Sequence, residues 1–141
     1  MLEYMFMPYR RYFDFNGRSS RSEYWYFMLL FIIVTIVGYS LMFAGGAFQP
    51  DFDPDKGENA WLFFAVSLPM ALFVLVSIIP AVAVEIRRWH DQGKSGWHFF
   101  VRFVPLVGGL IVLFFMCKSG TSGSNKYGTD PLDRHNSDVF S

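Results

Sequence analysis

The sequence predicts an all-α fold: a polytopic helical membrane protein with three transmembrane helices and a short amino-terminal interfacial helix. Three observations carry this expectation. Of 141 residues, 52% are apolar and only 17% charged, whereas about a quarter of the residues in a soluble domain are charged. Residues 24–48 and 60–84 each run for 25 residues without a charge, more than the ~20 needed to cross ~30 Å of hydrocarbon. Residues 97–117 supply a third apolar run. Core helices of soluble proteins are seldom this long, and the polar faces that would surround them are missing.

Composition also excludes whole classes. Twelve Lys and Arg balance twelve Asp and Glu, so no basic field exists to gather nucleic acid, and none is expected as a partner. The single cysteine, Cys117, cannot form an intrachain disulfide or a cysteine-rich metal cluster. Aromatic residues at 20% of the chain are the opposite of a disorder signature.

Taken in order, Leu2, Met5, Phe6, Tyr9 and Phe13 recur at helical spacing and predict a short helix in the membrane interface, limited by Pro8 to the part from Pro8 onward. Asn16-Gly17 should turn the chain. Ser20 with Glu23 has capping-box spacing at the start of the first span, and Tyr24, Trp25 and Tyr26 supply an aromatic belt. The first span reads as an uncleaved anchor, because 23 mixed residues precede it and it exceeds the 7 to 15 residues of a signal-peptide core. Ser40 with Ala44, Ser67 with Ala71 and Ser77 with Ala81 are small-residue pairs that allow helices to approach. Pro69 and Pro80 should kink the second span.

The third run carries Arg102 and the breakers Pro105, Gly108 and Gly109. Thirteen Phe, Leu, Ile or Val between Phe99 and Phe115 contribute about 4 to 8 kcal/mol to insertion, against ~2.5 to 3.5 for a central Arg. Arg102 also sits near one end, where it can reach the headgroups. Insertion is expected, as a third crossing or, if the breakers turn the chain, as a re-entrant segment.

Orientation follows from the cations. Arg10, Arg11, Arg18 and Arg21 precede the first span, and Arg87, Arg88 and Lys94 follow the second, while the loop between the spans holds Asp51, Asp53, Asp55 and Glu58 against Lys56 alone. The amino terminus and second loop are therefore expected in the cytoplasm and the acidic loop outside. Three crossings would place the carboxyl segment outside, whereas re-entry would return it to the cytoplasm.

The second loop, residues 85–97, is the most polar cluster. If the second span continues as a helix, Glu85 pairs with Arg88, Arg87 pairs with Asp91, Gly93 ends the helix and Ser95 starts the next element. As a site, Arg87, Arg88 and Lys94, helped by Arg18 and Arg21 and adjoining His90 and Asp91, suit an anionic lipid headgroup or a protein partner. Catalytic readings are weaker. Ser95, His90 and Asp91 have the residue types of a triad, but adjacent His and Asp side chains diverge on a helix. His90, Asp91 and His98 lack a recognised metal-ligand spacing, and no charged residue lies at the centre of a span to mark an ion path. Residues 120–131 are rich in turn residues without the order of a phosphate loop. Residues 1–131 read as one integral membrane domain and 132–141 as a mobile tail.

These blocks carry a resemblance. Phe15-x-Gly17-Arg18-x-x-Arg21-x-Glu23-Tyr24-Trp25, then Pro80 with Arg87-Arg88-x-His90-Asp91-x-Gly93-x-Ser95-Gly96-Trp97, Pro105-x-x-Gly108, and Gly120-Thr121-x-Gly123-x-Asn125-x-Tyr127-Gly128-x-Asp130-Pro131 stand in this order. The chain thereby resembles the bacterial inner-membrane family labelled domain of unknown function 805, with Trp89 where Leu is usual. The resemblance implies a bacterial plasma-membrane location and three or four spans. It supplies no activity, catalytic residue, metal or cofactor. The expectation is a non-enzymatic membrane protein whose cytoplasmic Arg/His/Asp cluster meets anionic lipid or a membrane protein partner. The alternatives are a subunit of an oligomeric transporter or channel, packed as a homo-oligomer, and an enzyme acting at headgroup level through His90 and Asp91.

Overall fold

The computed structural model describes residues 2–49, 52–53 and 60–132. Most of the acidic loop, and the expected mobile tail beyond Leu132, lie outside the described residues. The described chain is helical: α1 (Leu2–Arg10), α2 (Arg21–Ala44), α3 (Ala60–Asp91), a 3-10 helix (Gly96–Phe103) and α4 (Gly108–Cys117). Two helices, Arg21–Ala44 and Trp61–Asp91 within α3, are long and apolar enough to cross a membrane. They form parts of two compact units, Met28–Ile78 and the rest of the chain, Met1–Phe27 with Ile79–Ser141.

In the unit Met28–Ile78, α2 and α3 run antiparallel, with Phe31 against Phe73 at 5.6 Å between ring centroids. The close approaches fall at glycines. A Cβ at Gly38 would stand 2.6 Å from the Met70 sulfur, and one at Gly45 the same distance from Leu62. The Ser40 and Ala44 pair faces outward instead. Leu29, Ile32, Ile36, Leu68, Leu72 and Leu75 are exposed along these helices, the inverse of a soluble helix pair and the pattern demanded by a hydrocarbon solvent.

The other unit holds the polar residues. Helix α1 begins at Leu2 and contains Pro8 in its last turn, so Pro8 does not start it. The missing N–H there costs one hydrogen bond, while the ring is fully buried. Tyr9 packs on Phe27 at 5.5 Å and Tyr4 on Tyr26 at 6.1 Å, seating α1 on the start of α2. Gly17 turns the chain at φ +77°, and the Ser20 hydroxyl accepts from the Glu23 N–H at 3.2 Å, capping α2. Helix α3 passes through Pro69 and Pro80 and ends as expected. Gly93, at φ +70°, donates to the His90 carbonyl at 2.9 Å and Lys94 to that of Trp89 at 3.0 Å, the paired bonds of a Schellman motif.

The third apolar run is not one helix. Ser95 caps the 3-10 helix by accepting from the Trp97 N–H at 3.4 Å. The chain then reverses at Pro105 and Leu106, which stands at φ +66°. A Cβ at Gly108 would lie 2.5 Å from the Val101 carbonyl, so the reversal needs a glycine there. Helix α4 has only ten residues, about 15 Å at 1.5 Å per residue. Pro105 and the glycines break the run, and its arms fold back on each other.

Candidate functional site

The site is built around the carboxyl end of α3, where the last carbonyls need partners that the helix cannot supply. Two segments converge on this end. Ser19 N–H, preceding α2, donates to the Arg87 carbonyl at 3.2 Å. From beyond α4, Thr121 donates to the Asp91 carbonyl through its N–H at 2.8 Å and its hydroxyl at 3.0 Å. The Asn125 amide donates to the His90 carbonyl at 3.0 Å.

Charged side chains complete the junction. Asp91 accepts from Arg18 at 2.9 Å and from Arg88, so one buried carboxylate serves two buried guanidinium groups. Arg18 also donates to the carbonyls of Thr121 and Gly123, each at 2.5 Å, and lies 3.8 Å from Asp130. Arg87 pairs with Glu23 at 2.9 Å, donates to the Ser19 hydroxyl at 2.8 Å, and reaches the Asp14 carbonyl. Arg88 reaches the Lys118 carbonyl. Such pairs tolerate desolvation because nearly every N–H fork meets a carboxylate or a carbonyl. Positive groups at this end also suit the negative pole of α3.

The pairs expected within the helix, Glu85 with Arg88 and Arg87 with Asp91, do not form. Glu85 instead accepts from Arg102 at 2.8 Å, and Arg87 turns to Glu23. The i,i+4 rule governs exposed helix faces; here neighbouring segments bury the side chains and offer better-matched partners. Arg102 consequently spends its charge on Glu85 rather than on a headgroup. The Arg88 Nε and Gln92 Oε1 atoms lack a direct partner. The Gln92 amide nitrogen, by contrast, donates to the Phe115 carbonyl at 2.6 Å.

Five of the seven residues singled out from the sequence, Arg18, Arg87, Arg88, His90 and Asp91, are buried together. His90 stacks on Tyr127, with ring centroids 3.9 Å apart and planes within 5°. Its Nδ1 lies 3.2 Å from the Gly17 carbonyl, which only accepts, so that nitrogen carries a proton. The other two stand apart. Arg21 is exposed, its guanidinium 3.4 Å from the Cys117 carbonyl, and Lys94 lies over the Phe115 ring at 4.8 Å. Arg21, Ser119 and Ser122 line a small polar cavity of about 150 Å³ that Asp91 and Asp130 also border. Beside the junction, the Arg11 guanidinium at 2.7 Å and the Asn16 N–H at 3.0 Å outweigh the slight burial of Asp14 and hold its carboxyl below the usual range.

The residues after α4 read from the sequence as turns and as one block of the family resemblance, without a place in the candidate site. Their signal was present: Gly120, Thr121, Gly123, Asn125, Tyr127 and Asp130 all touch or space this junction. A Cβ at Gly120 would collide with the Asp91 carboxylate. Asn125 and Gly128 exchange backbone bonds at 3.0 Å, and Gly123 N–H donates to Asp130 at 3.2 Å, folding residues 123–130 into the turn that presents Tyr127.

The chain is similar to several known proteins. The inner membrane protein YhaI of Escherichia coli (strain K12) is 36% identical over 124 residues, covering 86% of this chain and 89% of that protein. Inner membrane protein YhaH of the same strain is 32% identical over 122 residues, covering 86% and 90%. The uncharacterized protein YiiR of that strain is 28% identical, covering 86% and 88%. No solved structure matches the chain. A family model described as "Protein of unknown function (DUF805)" matches residues 12–129, a stretch that holds Arg18, Glu23, Arg87, Arg88, Asp91 and Asn125, and the chain belongs to that family.

Proposed function

We propose that the protein is a non-enzymatic component of the bacterial inner membrane with two crossings, whose amino terminus, second loop and carboxyl segment form one cytoplasmic cap that meets anionic lipid headgroups. The observation that carries this reading is Arg18, which ties the carbonyls of residues 121 and 123 to Asp91. Chain that follows the third apolar run thereby shares one end of α3 with chain that precedes the first. Two crossings satisfy that sharing; three would separate its members by a bilayer. The charge distribution supports the sidedness. Residues 1–27 and 79–141 hold eleven Lys or Arg against eight Asp or Glu, while residues 49–59 hold one Lys against four acids. Cations collect on the cytoplasmic side.

The geometry moves the lipid-facing role from the buried arginines to other cations. Arg18, Arg87 and Arg88 are enclosed and engaged, and His90 and Asp91 are occupied by Tyr127 and two guanidinium groups, which favours a structural over a catalytic part for them. Arg10, Arg21, Lys118 and Lys126 are exposed, and Lys94 is half-buried. Each such cation is worth roughly 1 kcal/mol at an anionic surface. The test is native mass spectrometry of detergent-purified protein carrying added phosphatidylglycerol. Changing Arg21, Lys94, Lys118 and Lys126 together to Gln should cut retained anionic lipid at least tenfold while leaving the fold intact. Equal retention would count against the lipid role.

A further inference from the structure

We infer that the hairpin of residues 96–117 is a wedge seated among the acyl chains of the leaflet nearest the cap, entering and leaving on one side. The inference deepens the two-crossing reading and rests on it. Both feet of the hairpin stand at the same end of α3. The leading foot follows Gly93 directly. At the trailing foot the Phe115 carbonyl accepts from Gln92 at 2.6 Å, the Lys118 carbonyl from Arg88, and the Cys117 carbonyl from Arg21 at 3.4 Å. Eight residues of 3-10 helix rise about 16 Å and ten of α-helix about 15 Å; neither arm covers ~30 Å of hydrocarbon.

The surface of the hairpin is divided. Toward α3 it offers His98, 5.3 Å from Trp89 between rings, and Arg102, bonded to Glu85. On its exposed side, three residues per turn align Trp97, Phe100 and Phe103 into one ridge. These are 77%, 55% and 67% exposed, and Leu106 at the tip is 97% exposed. Leu110 and Phe114 extend the exposed apolar surface along α4.

Two observations identify what covers this ridge. First, it is continuous with the charge-free surface of α3: Val82 and Ile86 on the helix and Trp97, Phe99 and Phe100 on the hairpin border one apolar groove of about 400 Å³. An acyl chain lying along α3 at Val82 and Ile86 would enter this groove. Second, three backbone amides of the irregular tip are bonded within the hairpin. Val104 N–H donates to Val101 at 3.1 Å, Val107 to Pro105 at 2.8 Å and Gly108 to Val104 at 2.9 Å. Such internal bonds suit a lipid setting, where backbone groups find partners within the protein. Acyl chains fit both observations.

The experiment places single bimane labels on full-length Cys117→Ser protein at Phe103→Cys, Leu106→Cys and Ser124→Cys, with Leu110→Cys in reserve should a ridge variant fail to fold. The proteins are reconstituted in phosphatidylcholine and phosphatidylglycerol vesicles. A nitroxide on the acyl chain should quench positions 103 and 106 at least threefold more than position 124, and aqueous iodide should show the reverse order. Iodide quenching at 103 and 106 as strong as at 124 would overturn the wedge. Protection from both quenchers that grows with the protein-to-lipid ratio would mean that a second copy covers the ridge, and would also overturn it. If position 124 alone proves reachable from the face opposite the amino terminus, the two-crossing reading fails; lipid quenching at 103 and 106 with 124 on the amino-terminal side sustains both.

Discussion

Replacing Asp91 with Asn tests the junction at its centre. The carboxylate accepts from Arg18 at 2.9 Å and from Arg88, and all three side chains are nearly enclosed. Asn keeps the shape but loses the charge, and its NH2 must point at one guanidinium, setting donor against donor. Arg18 then keeps Asp130, at 3.8 Å, while the described residues give Arg88 no other carboxylate. Removing one partner of a buried pair costs about 3 to 5 kcal/mol, because the stranded charge stays desolvated. For a chain of this size that corresponds to a fall in Tm on the order of 10 °C. Thermal unfolding of detergent-purified protein followed by near-ultraviolet circular dichroism should show it, together with faster tryptic cleavage after Lys126. A change below about 2 °C with unaltered cleavage would refute the claim that Asp91 holds the three segments together.

Other consequences follow from single contacts. Gly120→Ala should destabilise by about 1 to 3 kcal/mol, because the new methyl meets the Asp91 carboxylate; a Tm equal to that of the parent would contradict the packing. Tyr127→Ala removes the ring stacked on His90, a contact worth about 0.5 to 1.5 kcal/mol beyond its buried area, and should speed hydrogen exchange at residues 121–128 more than in α2. Asp14 should titrate below an ordinary carboxylate because Arg11 and Asn16 hold its charged form. Its contribution to stability is therefore present above the unfolded pKa and disappears as the pH falls through the folded one. In carboxyl-resolved NMR, Arg11→Gln should move that titration upward.

Local signals in the sequence translated directly into structure. Ser20 caps α2, Gly17 turns the chain and Gly93 closes α3, because each depends on a few neighbouring residues. The two charge-free runs became the two long apolar helices for the same reason. What was illegible depends on contacts distant in sequence. Arg87 lies 64 positions from Glu23 and Arg18 lies 73 from Asp91, so helix-face rules gave Arg87 and Asp91 to each other and no local rule joined Arg18 to Asp91. The Glu23 half of the capping box was lost to the same competition, since its carboxylate serves Arg87. The third run had composition enough to insert, but hydropathy sums ignore direction, and the reversal at Leu106 and Gly108 is a matter of backbone geometry. The turns after α4 carried no charge pattern of their own. They acquire meaning only once Arg18 and the end of α3 are seen to need their carbonyls and amides.

The central claim is that the segment beyond α4 returns to the side of the membrane that holds the amino terminus. Single cysteines at Asn16, Gln49 and Ser124 in the Cys117→Ser protein, probed with a membrane-impermeant maleimide in sealed inverted inner-membrane vesicles, test it directly. Positions 16 and 124 should react in intact vesicles, and 49 only after permeabilisation. Labelling of 124 together with 49, and not with 16, would contradict it.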